Sequence, residues 1–286
     1  YRQYGITCME SGKYEDAVKA FQNALGESIG HIGEKELDIC FYKAKAQALD
    51  GKTKDALATY NAIIKYNKDA RAYYLRGDLY MDMGEEKKGR ADFESAVQQG
   101  KKNYEIYIGI YESLSRHEKK DEGQKYLSAA MEIKGDKPED ELYKGRISYL
   151  LGENKDAISY LEKAKEHKQM LASYYLGLAY DANGDSDKAK KCIAEYIKSG
   201  VATSYDLYEL GMQEMQDGNY KNALTYFNSG LELEKVPNKQ NLMKSAIAAY
   251  EYSGDFDSAK KMMKEYLKAY PDDEEAKHEN TFLETR

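Results

Sequence analysis

The chain has 286 residues, and its 50 acidic residues outnumber 43 basic ones, which gives a formal net charge of −7. A protein that follows a nucleic-acid backbone needs clustered Lys and Arg to neutralise the phosphates, so this composition argues against a nucleic-acid partner. No apolar run approaches the roughly 20 residues that are needed to span a bilayer, so the sequence predicts no transmembrane segment.

Taken in order, the chain repeats one local pattern: a helical segment, a glycine corner and a second helical segment. The corner is clearest where Gly218 and Asn219 precede an amphipathic segment that ends at Phe227. Equivalent corners recur 32 to 39 residues apart, and a period near 34 residues predicts stacked helix pairs. The corner residues are, in order, Gly12, Gly51, Gly84, Glu118, Gly152, Gly184, Gly218 and Gly254.

Small residues recur at fixed distances from the corner residue. In the seventh pair Gly211 stands seven residues before Gly218, while Ala223 and Phe227 stand five and nine residues after it. Glycine and alanine let two helix backbones approach closely, and a corner glycine can adopt the left-handed conformation that ends the first helix. Each helix is predicted to bury one apolar stripe, which only the stacking of neighbouring pairs can cover.

This pattern resembles the tetratricopeptide repeat family over essentially the whole chain. The resemblance implies an all-α fold, an α-solenoid in which about eight antiparallel helix pairs form a right-handed superhelix. We expect one solenoid over residues 1–286 that ends in a polar capping helix. The expected repeats are 1–26 (truncated), 37–69, 70–103, 104–137, 138–169, 170–203, 204–236 and 240–273, followed by the capping tail at 274–286.

Some local expectations depend on single residues. The fourth repeat has Glu118 at the corner and Gly123 where other repeats have alanine, so we expect this pair to be the least regular. Asn219, Asp185 and Asp255 directly follow corner glycines and are predicted to cap the second helices.

The motifs of known catalytic sites are missing from the sequence. It contains no glycine-rich phosphate loop, nucleophile elbow or metalloprotease helix, and its four histidines lie in distant repeats. The three cysteines lack CxxC spacing and are predicted to be buried free thiols. We therefore expect no enzymatic activity, no cofactor and no metal site.

The first helix of each pair offers a candidate binding surface. In the tetratricopeptide repeat family this helix lines the concave groove, at positions 2, 5, 9 and 12 when the corner glycine is position 15. These positions share one helical face and here carry aromatic and methionine side chains, which suit irregular protein surfaces. The alternative is that these side chains only pack against neighbouring repeats. The candidates, called the inner row below, are Phe41, Tyr74, Met81, Arg146, Tyr149, Tyr174, Leu178, Tyr208, Met212 and Met215.

The predicted function is a non-catalytic scaffold that binds a peptide or protein segment in its concave groove. One alternative is an extracytoplasmic lipoprotein of the bacterial cell envelope that acts as an assembly adaptor. It expects a lipid anchor upstream of Tyr1, because the chain begins without Met and a targeting segment would precede it. Another alternative is a peptide-sensing regulator. The identity of the partner and the compartment, cytoplasmic or membrane-anchored outside the cytoplasm, stay open.

Overall fold

The computed structural model describes residues 1–28, 32–135 and 137–286, and these residues form seventeen α-helices and no strand. The helices alternate as first and second members of consecutive pairs, so the chain is the expected all-α solenoid. The first helices are α1 (Arg2–Glu10), α3 (Glu34–Leu49), α5 (Ala70–Asp82), α7 (Tyr104–Arg116), α9 (Pro138–Leu151), α11 (Leu171–Ala182), α13 (Ser204–Gln216) and α15 (Lys239–Tyr252). The second helices are α2 (Tyr14–Gly26), α4 (Thr53–Asn67), α6 (Glu86–Gln99), α8 (Lys120–Met131), α10 (Asn154–Glu166), α12 (Ser186–Lys198), α14 (Tyr220–Leu231) and α16 (Phe256–Ala269), and α17 (Glu274–Glu284) follows the last pair.

The helices group into two compact units, Tyr1–Lys198 and Ser199–Arg286. In unit 1, which holds α1–α12, the hydrophobic core extends from one pair to the next, since Leu127 of α8 and Ile147 of α9 belong to one buried cluster. In unit 2, which holds α13–α17, Met263 of α16 and Leu283 of α17 are likewise buried together. That residues 1–286 form one continuous domain with the expected repeat bounds stays a prediction.

The corner glycines end the first helices as the sequence predicts. All seven have φ between 70° and 84°, the left-handed region that costs a residue with a Cβ about 1–2 kcal/mol. At Gly218 a Cβ would meet no atom within 4 Å, so backbone conformation alone favours glycine there. The next backbone N–H, that of Asn219, donates to the carbonyl of Glu214 at 2.8 Å and closes the helix end.

The predicted helix caps are present at two of the three positions. The Asp255 carboxylate accepts from the backbone N–H of Ser258 at 3.1 Å, and the Asp185 carboxylate accepts from that of Lys188 at 3.3 Å. The side chain of Asn219 makes no capping bond, so this prediction is wrong. At that corner backbone bonds secure the turn, from Asn219 N–H to the Glu214 carbonyl and from Gly218 N–H to the Met215 carbonyl.

The fourth pair does not show the irregularity expected from its missing glycine. Its helices α7 and α8 are as regular as their neighbours. Glu118 itself adopts the left-handed conformation, with φ 61°, and the N–H of Lys119 donates to the Leu114 carbonyl at 2.8 Å. Neighbouring packing therefore imposes the corner geometry on a residue that does not favour it.

We expect Glu118→Gly to raise the free energy of unfolding by about 1 kcal/mol, because glycine removes the left-handed strain at this exposed corner. Urea denaturation followed by circular dichroism measures the change. The control is Glu94→Gly, which removes the same charge from an exposed position inside α6 and should lower stability by about 1 kcal/mol. A loss of stability in both variants would contradict the prediction.

Glycines in the first helices permit close contact with the second helix of the same pair. A Cβ at Gly211 would lie 2.3 Å from Cε1 of Phe227, and one at Gly77 would lie 2.9 Å from the ring of Phe93. Distances this short are sterically forbidden, so the predicted close approach is confirmed. The pairs of this kind are Gly5–Phe21, Gly77–Phe93, Gly145–Leu161, Gly177–Ile193 and Gly211–Phe227.

Candidate functional site

All ten residues of the inner row lie on first helices, as the corner spacing predicts. Seven belong to unit 1 and three to unit 2. Unit 1 holds Phe41 on α3, Tyr74 and Met81 on α5, Arg146 and Tyr149 on α9, and Tyr174 and Leu178 on α11. Unit 2 holds Tyr208, Met212 and Met215 on α13.

Three members of the inner row are covered by neighbouring side chains. The Arg71 guanidinium lies 4.4 Å from the centre of the Phe41 ring, which is 7% exposed. Met81 is 3% exposed and contacts the second helix α6, and Tyr174, 8% exposed, packs against the ring of Tyr196 at 5.3 Å between centres. These three residues leave little area for a partner, so the packing role describes them best, and a binding role stays a prediction.

Four members of the row in unit 1 are half-buried, namely Tyr74, Arg146, Tyr149 and Leu178. The Tyr74 ring lies against the backbone of Gly109, where a Cβ would be 2.6 Å from the ring Cζ. Burial raises the pKa of Tyr74 and of Tyr149 above the ordinary tyrosine value, so both phenols stay protonated at neutral pH. Each therefore presents an apolar ring and a hydroxyl that can donate a hydrogen bond.

Ion pairs connect the first helices that carry these residues. Arg116 of α7 donates to Asp78 of α5 at 2.6 Å. Arg146 of α9 donates to Glu112 at 2.9 Å and to Glu105 at 3.4 Å, both on α7. In each pair one partner is about half exposed (Arg116, Glu105 or Glu112), so each pair contributes at most about 1 kcal/mol to stability. Their clearer effect is to satisfy the charges of this face within the chain, beside the rings of the inner row.

The three members of the row in unit 2 are also half-buried. Tyr208 packs its ring against Phe227, with 6.2 Å between centres, and the Ser245 hydroxyl donates to the sulfur of Met212 at 3.6 Å. Met215 packs against the same buried cluster. Thioethers adapt their shape at little cost, so these side chains can both close the core and meet a partner.

Unit 2 also contains a cavity that the sequence analysis did not identify, called the terminal cavity below. It has a volume of about 500 Å³ and lies between α15, α16 and α17. Glu251 and Tyr252 line it from α15, and Glu279 and Phe282 line it from α17. Counting back from Gly254 places Glu251 at position 12. The spacing rule could therefore have identified the α15 wall of the cavity. The α17 wall could not be predicted from the spacing, because it depends on how α17 packs against the last pair.

The helix α17 is fixed to the last pair through Asp273, the residue before its first turn. The Asp273 carboxylate accepts from the Tyr266 hydroxyl at 2.5 Å, from the Ala276 backbone N–H at 3.1 Å, and pairs with Lys244 at 2.8 Å. These contacts, the Lys244 bond first, hold the pKa of Asp273 well below its ordinary value. The predicted capping tail is therefore an anchored helix that forms one wall of the terminal cavity.

The described residues offer few groups for covalent or metal chemistry. No group of three or more His, Cys, Asp or Glu within this part of the chain could hold a metal ion. Cys8 and Cys192 are buried free thiols, as predicted, whereas Cys40 is only half-buried. Burial raises the pKa of both the Cys40 and the Cys192 thiol, which disfavours the reactive thiolate. Among the described helices, none has both the length and the apolar character to cross a bilayer.

Solved structures share this arrangement of helices at low sequence identity. A tetratricopeptide repeat protein from Parabacteroides merdae ATCC 43184 has a TM-score of 0.51 at 12% identity, over 86% of this chain and 96% of that chain. The Cut9–Hcn1 hetero-tetramer of the APC/C has a TM-score of 0.46 at 16% identity, over 98% of this chain and 54% of that chain. PilW, a type IV pilus biogenesis factor, has a TM-score of 0.46 at 17% identity, over 73% of this chain and 97% of that chain. At 12% identity the Parabacteroides merdae structure supports the fold alone, and no argument rests on the other two.

The sequence itself matches two family profiles, both described as Tetratricopeptide repeat. One matches residues 6–65 and 43–104, and the other matches residues 171–199 and 240–273, so together they cover more than half of the chain. No curated protein sequence matches the chain closely enough to count as a relative. The period near 34 residues, the left-handed corners and the small residues at the helix contacts agree with both profiles. The chain belongs to the tetratricopeptide repeat family.

Proposed function

We propose that this protein is a non-catalytic scaffold that binds a segment of a protein partner along its first helices. The family fold supports protein–protein interaction in general, and such repeat proteins are scaffolds rather than enzymes as a rule. The observation that carries the finer proposal is the half-burial of seven inner-row side chains, which are anchored at one end and accessible at the other.

Physical reasons favour a protein partner for this surface. Tyrosine, methionine and arginine are enriched where proteins meet, because they give large contact areas at low entropic cost. The arginine of the row is already paired with Glu105 and Glu112, so a partner is not needed to satisfy its charge. Apolar rings and thioethers therefore supply most of the contact. The envelope adaptor and the peptide-sensing regulator would use the same row and stay predictions.

The proposal is tested by truncating the accessible members of the row in each unit separately. We expect Tyr149→Ala/Leu178→Ala in unit 1, or Met212→Ala/Met215→Ala in unit 2, to weaken partner binding at least tenfold, since buried interface anchors each contribute more than about 1 kcal/mol. The partner is first captured with a photo-crosslinking residue at position 149 or 212 and identified by mass spectrometry. Its affinity is then measured with the purified proteins.

The matched control is Met83→Ala/Met170→Ala, which truncates two exposed methionines outside the row. It should leave the affinity unchanged, and all variants should keep their helical content and cooperative melting. If the row variants bind as tightly as the parent chain, the half-buried side chains serve packing alone. A second control places the crosslinking residue at Tyr66, on the second helix α4 and outside the row. If positions 66 and 149 capture the same proteins, the proposal is contradicted.

A further inference from the structure

The terminal cavity has an apolar floor and accessible aromatic walls. Ile247 and Ala248 of α15, Met263 of α16 and Ala276 of α17 line it. Tyr252 and Phe282 also line it and are 68% and 45% exposed, which is unusual for side chains of this size. None of the inner-row residues lines this cavity. The cavity therefore lies outside the ten residues of the inner row, although Glu251 occupies an equivalent position on α15, and it can accommodate one long side chain.

Two neighbouring carboxyl groups line this cavity. Glu251 of α15 and Glu279 of α17 both line the cavity, and Oε1 of Glu251 is buried with no hydrogen-bond partner among the described residues. Burial raises the pKa of Glu251 above its ordinary value, and the charge of Glu279 and a hydrogen bond between the two carboxyl groups raise it further. A buried acceptor without a donor costs roughly 1–3 kcal/mol, so a cationic donor that reaches Glu251 Oε1 would be stabilised.

Two cations, Lys244 and Arg286, also line the cavity, and both already have partners there. Lys244 pairs with Asp273 at 2.8 Å and with Glu275 at 3.6 Å. The Arg286 guanidinium stacks over the Phe282 ring at 4.7 Å from its centre. The position of Arg286 also shows that an aromatic wall of the cavity accepts a flat cation.

We propose that the terminal cavity binds one lysine or arginine side chain of an extended protein segment. The alkyl stem of that side chain lies on the apolar floor, and its charged head contacts the adjacent carboxyl groups of Glu251 and Glu279 beside the exposed rings. This inference rests on the proposed function only in that the occupant belongs to a protein. An acidic side chain would be repelled by the carboxylates, and an apolar one would leave Glu251 Oε1 unpaired.

The test uses methionine methyl groups as local reporters in nuclear magnetic resonance. Met263 reports the terminal cavity, whereas Met212 and Met215 report the inner row. The probe is the blocked peptide Gly-Leu-Lys-Leu-Gly, titrated into the full chain beside the same peptide with norleucine in place of lysine. We expect the lysine peptide to shift the Met263 signal saturably, with an affinity about tenfold higher than that of the norleucine peptide.

A charge-neutral variant of the cavity completes the test. Glu251→Gln/Glu279→Gln removes like charges and should fold, and it should lower the affinity for the lysine peptide about tenfold. The control Glu234→Gln/Glu265→Gln makes the same charge change at exposed positions and should leave the affinity unchanged. Equal binding of the lysine and norleucine peptides, or an unchanged affinity in the cavity variant, would overturn the inference. A shift confined to Met212 and Met215 would overturn it too, while leaving the inner-row proposal intact.

Discussion

Replacing Arg76 with methionine is expected to lower the free energy of unfolding by about 3–5 kcal/mol, the largest effect of any single charged residue considered in this protein. Arg76 Nε and Nη2 donate to the two carboxylate oxygens of Asp92 at 2.7 and 2.6 Å. Arg76 Nη1 donates to Asn61 at 2.5 Å, so one guanidinium connects α4, α5 and α6. The Asp92 side chain is only 9% exposed, so without Arg76 its charge would be buried and unpaired.

The large loss comes from the orphaned carboxylate, which a second substitution can test. Arg76→Met/Asp92→Asn removes that charge and should recover at least half of the lost stability in urea denaturation. A double variant as unstable as the single one would show that packing of the arginine stem, and not the buried charge, causes the loss.

Arg146→Met serves as the matched control for Arg76→Met. The Arg146 side chain is as buried as that of Arg76, 18% exposed in both cases, but its partners Glu105 and Glu112 are 54% and 48% exposed. Water can solvate those carboxylates once the arginine is gone, so the expected loss is about 1 kcal/mol or less. The comparison isolates the burial of the acidic partner as the cause of the difference.

Gly211→Ala is expected to lower the free energy of unfolding by about 1–3 kcal/mol, because the added methyl would lie 2.3 Å from Cε1 of Phe227. The Phe227 ring is fully buried, so it cannot move aside without displacing α13 from α14. Urea denaturation and the melting temperature measure the loss. If the proposed inner row binds a partner, the affinity for that partner should fall as well, since Tyr208, Met212 and Met215 lie on α13.

A double-mutant cycle separates this steric effect from backbone strain. Phe227→Leu opens space beside residue 211, so Gly211→Ala should cost less in that background than in the parent chain. Gly218→Ala is the control, because its φ of 75° makes alanine unfavourable by about 1–2 kcal/mol although a Cβ there would contact nothing. Its cost should be the same with Phe or Leu at 227. Equal, additive costs for both glycines would contradict the steric explanation.

Much of the fold could be predicted because it depends on local chemistry that recurs. A left-handed turn requires glycine at most corners, and close helix contacts require glycine or alanine, so the spacing of these residues located the helix pairs. Glu118 is an exception to this reasoning, since a glutamate adopts the same left-handed conformation within the folded pair. Asn219 shows it again, because a suitable capping side chain is present but makes no capping bond.

The candidate site could be predicted only as a helical face. Counting from the corner placed all ten inner-row residues on first helices, since helix periodicity fixes which side chains share a face. Whether each remains accessible depends on side chains that are distant in sequence or belong to the next helix. Arg71 of the next helix pair covers Phe41, and Tyr196 covers Tyr174 from the second helix of the same pair.

The terminal cavity also could not be predicted from the local sequence pattern, because it depends on tertiary packing. The period near 34 residues is a property of the chain itself, and it was sufficient to establish the repeat family, because every repeat meets the same steric demands. The cavity exists because Asp273 binds Lys244 and Tyr266 and thereby holds α17 against the last pair. Only that tertiary contact brings Glu279 beside Glu251, since no periodic pattern specifies how a final helix without a following partner packs.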